Sequence, residues 1–240
     1  MTNNHLDVIR TQSELLARAA EAVPLDTPVP SCPGWDMAAL VGHIGTIQTW
    51  VAHMVETLAQ QRLDRKTLPV PPTGPEVIPY FRAATARMLT ALTQANPDAA
   101  VWTFMPARRV SWWFRRQAHE ATVHRWDAQN TVGNADDVDP ALAVDGVDEL
   151  LEMQNTLQPQ KFMGDAGTVH LHATDAAGEW FLQLGASGMT VEHRHAKGDV
   201  AARGKAASLY LYVWGRIPED TMEVFGDRAL LSRLQRLTAM

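Results

Sequence analysis

Glu120 and His124 are the residues of this chain whose types and spacing most directly indicate chemistry. They lie four positions apart, so on a helix both side chains face the same side, one turn from each other. A carboxylate and an imidazole placed in this way form half of a metal site. The same spacing also occurs by accident on surface helices, so a solvated acid–histidine pair remains the alternative.

His119 raises a different possibility, the zinc-protease motif. That motif needs two histidines four positions apart, with the glutamate left free as a base. His119 and His124 are five apart. Five residues turn a helix by about 500°, which leaves the two rings about 140° apart. His119 is therefore excluded as a partner of His124, and Glu120 becomes the predicted ligand.

The rest of such a site must come from another part of the chain, and His43 is the candidate. It borders a stripe of apolar residues that recur at helical spacing from Leu40 to Leu58. Asp36 precedes this stripe and suits the first turn of a helix, where exposed N–H groups favour an anion. A histidine beside an apolar stripe is more often a hydrogen-bonded core residue, so this alternative stays open for His43.

Composition limits the classes of function that fit the chain. Its 240 residues are 46% apolar and 20% charged, as in soluble globular proteins. A net charge of -6 and the lack of a long basic run argue against a nucleic-acid partner. No apolar stretch approaches about 18 residues and the N-terminus has no hydrophobic signal core, so we expect a cytoplasmic protein with no membrane partner. Gly-rich phosphate loops are also missing from the sequence.

Cys32 is the single cysteine, so an intrachain disulfide is excluded. It lies between Pro30 and Pro33, and we interpret it as packed at a helix entrance rather than as a nucleophile. Thiol chemistry would therefore use Cys32 or a thiol that is brought in from outside.

Four helices are predicted before residue 130, with proline-rich connections between them. They span about Leu6 to Ala22, from Trp35-Asp36 through Leu58, about Glu76 to Ala95, and a segment that ends near Gln129. Four-helix bundles build metal sites from side chains on facing helices. His43 on the second helix and Glu120 with His124 on the fourth would supply two nitrogens and one oxygen. Three protein ligands leave a fourth position open, as in catalytic zinc sites.

The second half of the chain is predicted to form an α+β domain with an antiparallel sheet. A polar linker over residues 133–140 is followed by a helix from Leu142 to about Leu157. Residues then alternate in Thr168–Ala173, Trp180–Leu184 and Met189–His193, and a last strand near 222–227 precedes a closing helix.

Two histidine pairs in these strands are spaced to share a strand face. They are His170 with His172 and His193 with His195. Such pairs can bind metal, but exposed strand faces often carry polar residues of this kind, and we favour that interpretation.

Two motifs resemble the mycothiol-dependent maleylpyruvate isomerase family. They are residues 32–43 (Cys-Pro-Gly-Trp-Asp through His43) and residues 119–127 (His-Glu-Ala-Thr-Val-His-Arg-Trp-Asp). The resemblance implies a DinB-like, metal-binding four-helix bundle over residues 1–133. It also implies a sterol-carrier-like α+β domain over 134–240, where residues 199–204, 209–216 and 224–227 carry the similarity.

The resemblance also assigns roles to residues and cofactors. It implies that His43, Glu120 and His124 bind Zn²⁺ or another divalent metal, and that mycothiol, a low-molecular-weight thiol, is the second cofactor. An arginine of the second domain would face the site. Arg216 is the best match for this catalytic role, and Arg203 is the alternative.

The expected chemistry follows from an open metal site. A coordinated thiol is deprotonated, whereas a free thiol has a pKa of about 8.5. The thiolate would attack an electrophilic carbon. Addition to a cis double bond, rotation and elimination would give the trans isomer and regenerate the thiol, whereas loss of a leaving group would make the protein an S-transferase. Arg216 could pair a substrate carboxylate.

Other interpretations remain open at this point. Trp113 and Arg116 precede Glu120 and could line the mouth of the site, with ordinary helix packing and solvation as the alternative. The protein could also be a zinc hydrolase that activates water, or a non-catalytic protein that binds a small ligand. We expect an electrophilic small molecule and a low-molecular-weight thiol as partners, and a monomer or homodimer.

Overall fold

The computed structural model describes residues 2–164 and 166–239, which form two compact units. The first unit extends through Asp136 and is built from α-helices, and the second begins at Asp137 and combines helices with a sheet. Within the described residues, every helix is too short or too polar to cross a membrane. The domain boundary predicted between residues 133 and 134 stays a prediction.

Four long α-helices form the first unit over its described residues, 2–136. They are α1 (Thr2–Glu21), α2 (Met37–Glu56), α3 (Val77–Gln94) and α4 (Val110–Thr131). In the packing, α2 lies against α3 and α1 lies against α4. Two apolar clusters fill the space between the helices, one around Trp50 and Trp113 and the other around Leu16 and Phe81. The predicted four-helix N-terminal region is therefore confirmed.

A short closed loop sets the start of α2. Pro28 and Asp36 pair across it, and the Val29 N–H donates to the Trp35 carbonyl over 2.9 Å. Gly34 turns the chain with a φ of 85°, a conformation that glycine adopts without a steric penalty. Asp36 then caps the helix, because its carboxylate accepts a 2.8 Å hydrogen bond from the Ala39 N–H. The first turn predicted from Asp36 is therefore observed, and Trp35 is fixed beside it.

In the described part of the second unit there are three α-helices and five strands. The helices are α5 (Pro140–Leu157), α6 (Ala206–Val213) and α7 (Arg228–Thr238). The strands are β1 (Gly167–Ala173), β2 (Glu179–Gly185), β3 (Gly188–Glu192), β4 (Val200–Gly204) and β5 (Glu223–Gly226). They form one sheet in the order β3-β2-β1-β4-β5. The α+β class predicted for this half is therefore confirmed.

The prediction of an antiparallel sheet was wrong at one strand pair. β1 and β4 run parallel, in register from Val169 opposite Val200 to Ala173 opposite Gly204, whereas the other three pairs are antiparallel. The reason is the segment 193–199, which we call the crossover segment. It returns the chain from β3 at one edge to the far side of β1, so that β4 begins in the same direction as β1.

The two faces of this sheet differ in polarity. Val169, Leu171 and Leu182 are fully buried on one face, and α6 and α7 contact β1. On the opposite face, His172 of β1 lies directly across from Glu179 of β2. This polar face also carries His170 and Arg203.

The predicted sharing of a strand face by His193 and His195 was wrong. β3 ends at Glu192, so both histidines lie in the crossover segment rather than in a strand. His193 Nε2 lies 3.6 Å from Asp148 Oδ1, whereas His195 Nδ1 lies 2.9 Å from Glu179 Oε1. The two rings therefore have different surroundings.

Candidate metal centre

His43 of α2 and Glu120 with His124 of α4 converge in the first unit. Glu120 Oε1 lies 3.5 Å from His43 Nε2 and 3.7 Å from His124 Nε2. Two ligand atoms that are each about 2.1 Å from a tetrahedral zinc ion lie about 3.4 Å apart. The observed separations therefore fit three donors around one cation, and the three side chains form a group in which all ligand atoms are within 4.8 Å of one another.

One oxygen of the Glu120 carboxylate contacts Arg116, and the other faces the two histidines. Arg116 Nη2 donates to Oε2 over 3.1 Å, and Oε1 faces the two rings. Burial alone would raise the pKa of Glu120. The interaction with His43 and the charge of Arg116 outweigh it, with smaller contributions from the charges of both histidines, so the pKa lies well below its usual range. Glu120 is therefore ionised at neutral pH, as a metal ligand must be.

Asp127 fixes the orientation of His124. Asp127 is fully buried, and its Oδ2 lies 2.9 Å from His124 Nδ1. The same oxygen accepts a hydrogen bond of 3.3 Å from Cys32 Sγ. A histidine that binds metal usually donates its other ring N–H to a carboxylate or carbonyl. This contact therefore makes His124 Nδ1 the N–H and leaves the lone pair of Nε2 directed toward Glu120.

Sequence reasoning missed Asp127 and placed Cys32 only at a helix entrance. The available signal was the spacing of three residues between His124 and Asp127, which puts both on one face of a helix. The contact with Cys32 could not be found in this way, because it joins positions that are 95 residues apart.

Trp35 covers the histidines from one side. Its ring centroid lies 4.7 Å from that of His43 and 6.2 Å from that of His124, where the rings stack at 21°. Trp113 does not lie beside them. It is 1% exposed, packs against Trp50 with centroids 5.4 Å apart, and donates from Nε1 to the Trp102 carbonyl. The packing alternative therefore holds for Trp113.

A cavity opens beside His43. Its volume is about 460 Å³, and its walls combine small residues of α2 with a proline-rich loop, including Gly42, Thr46, Pro71 and Thr73. This size suits a small organic molecule. His43 is therefore accessible to a ligand.

Arg216 and Arg203 both belong to the second unit. Arg216 follows α6, and its Nη1 donates to the Trp214 carbonyl over 2.8 Å. Arg203 is exposed and pairs with Glu223 over 3.0 Å. These local contacts do not test which arginine faces the metal centre, so the role of Arg216 stays a prediction.

Comparison with known families accounts for both units. Residues 6–129 match the family described as the mycothiol maleylpyruvate isomerase N-terminal domain, and residues 141–233 match the C-terminal domain of the same isomerase. The chain belongs to the mycothiol-dependent maleylpyruvate isomerase family. The resemblance inferred from the two sequence motifs is therefore confirmed. The matched residues 6–129 of this chain include His43, Glu120 and His124.

Solved structures of the mycothiol-dependent maleylpyruvate isomerase have the same fold. One, a histidine-to-alanine mutant, is 13% identical with a TM-score of 0.68, and another is 14% identical with a TM-score of 0.64. Each alignment covers 93% of this chain and 92% of the other. A comparison with curated protein sequences finds no match. At these identities the structural likeness extends to the fold alone.

Proposed function

We propose that this chain is a metal-dependent enzyme that uses mycothiol either to isomerise a maleylpyruvate-like cis acid or, as an S-transferase, to join the thiol to an electrophile in place of a leaving group. The observation that carries the proposal is the convergence of His43 and His124 on one oxygen of Glu120. Membership in a family of mycothiol-dependent isomerases supports the enzyme class and the thiol.

The chemistry of the three side chains fits a divalent cation. Two imidazole nitrogens and one carboxylate oxygen suit Zn²⁺, and the same set accepts other divalent transition metals. Three protein ligands leave room for an exogenous one. When bound, the ion would supply Lewis acidity that keeps a thiol ligand deprotonated at neutral pH.

The remaining residues prepare these donors. Arg116 keeps Glu120 ionised through its 3.1 Å contact, and Asp127 holds the tautomer of His124 that presents Nε2. Trp35 packs on the histidine rings from one side. His43 is the member of the group that lines the cavity. We therefore assign the cavity to the thiol or the substrate.

The substrate of this proposed reaction carries a carboxylate. A guanidinium binds a carboxylate through two parallel hydrogen bonds, which fixes its orientation as well as its position. We assign this role to Arg216, with Arg203 as the alternative. We also propose that the protein acts as a monomer or homodimer on small molecules, since its charge of -6 does not suit nucleic acid.

Activity assays with matched histidine variants test the proposal. Zinc-loaded protein is assayed with maleylpyruvate and with a thiol-accepting electrophile, each with and without mycothiol. We expect turnover only with mycothiol and its loss in His43→Ala and His124→Ala, because each variant removes a proposed ligand. His53→Ala changes a histidine of the same helix α2 outside the group and should keep wild-type turnover.

Three outcomes would contradict the proposal. Equal turnover with and without mycothiol would indicate a zinc hydrolase. Tight binding of a small ligand without turnover would indicate a binding protein. Unchanged activity of His43→Ala and His124→Ala would exclude this group as the active centre.

A further inference from the structure

The polar face of the sheet in the second unit carries a second group of potential metal ligands. His170 and His172 of β1, Glu179 of β2 and His195 of the crossover segment bring their ligand atoms within 4.8 Å of one another. All four belong to the second unit. The group therefore shares no residue with the centre formed by His43, Glu120 and His124.

Glu179 Oε1 lies at the middle of this group. It contacts His172 Nδ1 and lies 2.9 Å from His195 Nδ1 and 3.9 Å from His170 Nε2. The ring centroids are 4.9 to 6.1 Å apart, and the ring planes are inclined by 62° to 88°. Each of the three imidazoles thus places one ring nitrogen within 4.8 Å of the others and of a Glu179 oxygen.

One buried nitrogen of this group makes no hydrogen bond within the described part of the chain. The His170 side chain is 6% exposed, and its Nε2 has no hydrogen-bond partner among the described residues. A buried polar atom without a partner destabilises the fold, because it has lost its hydrogen bond to water and gained none in return. A cation bound between Glu179 and the three rings would give this nitrogen a partner.

We propose that His170, His172, Glu179 and His195 bind one divalent transition-metal ion. Imidazole and carboxylate donors select ions such as Zn²⁺, Ni²⁺ and Cu²⁺ over the hard cations Mg²⁺ and Ca²⁺. Four protein ligands are typical of a site that stabilises a fold rather than one that keeps a position open for substrate.

The position of His195 indicates what the ion would stabilise. The crossover segment is anchored near its end by Asp199, whose carboxylate accepts hydrogen bonds from the Thr168 N–H and hydroxyl, each 2.8 Å long. Near its start, the Arg194 guanidinium lies 4.3 Å from the Phe181 ring centroid. A metal bound through His195 would attach the middle of the segment to β1 and β2. The ion would therefore fix the connection that creates the parallel strand pair.

Metal binding by histidine variants of the full chain, prepared without a histidine tag, tests the proposal. His195→Ala is the main variant, because its side chain is 77% exposed and its removal should not unfold the sheet. His193→Ala is the matched control. It lies in the same segment and is 64% exposed, but it faces Asp148. The double variant His43→Ala with His124→Ala removes both proposed histidine ligands of the first centre, so that the remaining metal binding reports on the second group.

In this double-variant background we expect one equivalent of Zn²⁺ by calorimetry and by elemental analysis. Adding His195→Ala should weaken binding at least about tenfold, since even residues that only orient ligands contribute about 10- to 100-fold. His193→Ala should leave the affinity unchanged. Co²⁺ substitution should give the visible bands of a tetrahedral site, and the position and intensity of these bands should change with His195→Ala. In the natural chain, His195→Ala should weaken the binding of one of two metal equivalents by the same factor.

Three results would overturn the proposal. They are a background variant that binds no zinc, equal weakening by His193→Ala and His195→Ala, or a Co²⁺ spectrum that does not depend on His195. Any of them would reduce the group to a hydrogen-bonded histidine cluster. None of these results would bear on the first centre. That centre is tested separately, by the loss of metal and activity expected in His43→Ala and His124→Ala.

Discussion

Asp127 contacts His124 of the candidate metal centre without being one of the proposed ligands. It lies in the fully buried part of α4 and contacts both His124 Nδ1 and Cys32 Sγ through a single oxygen. Its charge stabilises the His124 N–H that leaves Nε2 free to bind metal. A residue of this kind affects affinity through geometry and tautomer rather than through direct coordination.

Asp127→Asn should weaken metal binding by about 10- to 100-fold, because the amide keeps the shape of the side chain but loses its charge. Competition with a chromophoric chelator measures the affinity, and circular dichroism checks the fold. Cys32→Ser serves as the control, since a hydroxyl can still donate to Asp127. If Asp127→Asn bound metal as tightly as the wild type, Asp127 would have no role in orienting His124.

Contacts between two residues were predictable from the sequence where both residues lie on the same helix, because the helix fixes their relative positions. The pairing of Glu120 with His124 followed from their spacing, and the contact of Arg116 with Glu120 has the same spacing of four. The proximity of His43 to Glu120 depends on how two helices pack. It could therefore be proposed only from the predicted four-helix bundle and the family resemblance. Glu179 was not predicted at all, since its place beside His172 depends on strand register.

At the scale of elements, α2 carries two glycines with different surroundings. A Cβ at Gly45 would lie 2.6 Å from Tyr80 Cε1 and 3.4 Å from the Phe81 Cα, so α2 and α3 are in close contact there. A Cβ at Gly42 would lie 3.5 Å from Pro71, which is an ordinary contact. Gly45 therefore sets the distance between the helix that carries His43 and its neighbour.

Gly45→Ala should be less stable than Gly42→Ala by about 1 to 3 kcal/mol, the usual cost of overpacking a buried contact. Both changes gain about 1 kcal/mol of helix propensity, so the comparison cancels that term. Urea unfolding of the two variants measures the difference. Equal stabilities would show that Tyr80 moves aside without cost and that Gly45 does not set the helix distance.

Arg82 of α3 joins two carboxylates of α1. It contacts Glu21 and lies 3.4 Å from Glu14. The pKa of Glu14 is lowered mainly by its hydrogen bond to Arg18, against the opposing effect of burial and with help from Arg82. The pKa of Glu21 is lowered mainly by its hydrogen bond to Arg82. Carboxylates with lowered folded pKa values stabilise the fold above their unfolded pKa and lose this effect as the pH falls.

Arg82→Met should cost at most about 1 kcal/mol at pH 7, because all three side chains are partly exposed and screened by solvent. The difference from the wild type should be constant above about pH 5 and shrink below the unfolded glutamate pKa of about 4.3. Urea unfolding at a series of pH values measures it. A difference that grows toward low pH would contradict the assigned pairs.

Helices were easier to predict than the sheet for a physical reason. Apolar periodicity located all four helices of the first unit, and Asp36 marked the start of α2. Alternation with a period of two is the same in parallel and antiparallel strands, so it could not reveal the pairing of β1 with β4. β4 itself, Val200–Gly204, is short and was not predicted as a strand.

At the scale of the whole molecule, the chain consists of two units, each with its own group of histidines and a carboxylate. The change in composition near Asn130 predicted this division. The first unit extends to Asp136 because Arg125 donates to the Asp136 carbonyl over 2.6 Å and Gln129 donates to its carboxylate over 2.8 Å. The family match covers both units, so the proposed activity belongs to the chain as a whole.

Anomalous diffraction from zinc-loaded crystals tests the central claim most directly. We expect a zinc peak within about 2.1 Å of His43 Nε2, a Glu120 oxygen and His124 Nε2, the usual zinc–ligand distance. Diffraction from His124→Ala crystals grown in the same way provides the control and should lack this peak. A wild-type map without zinc density between these three side chains would contradict the account.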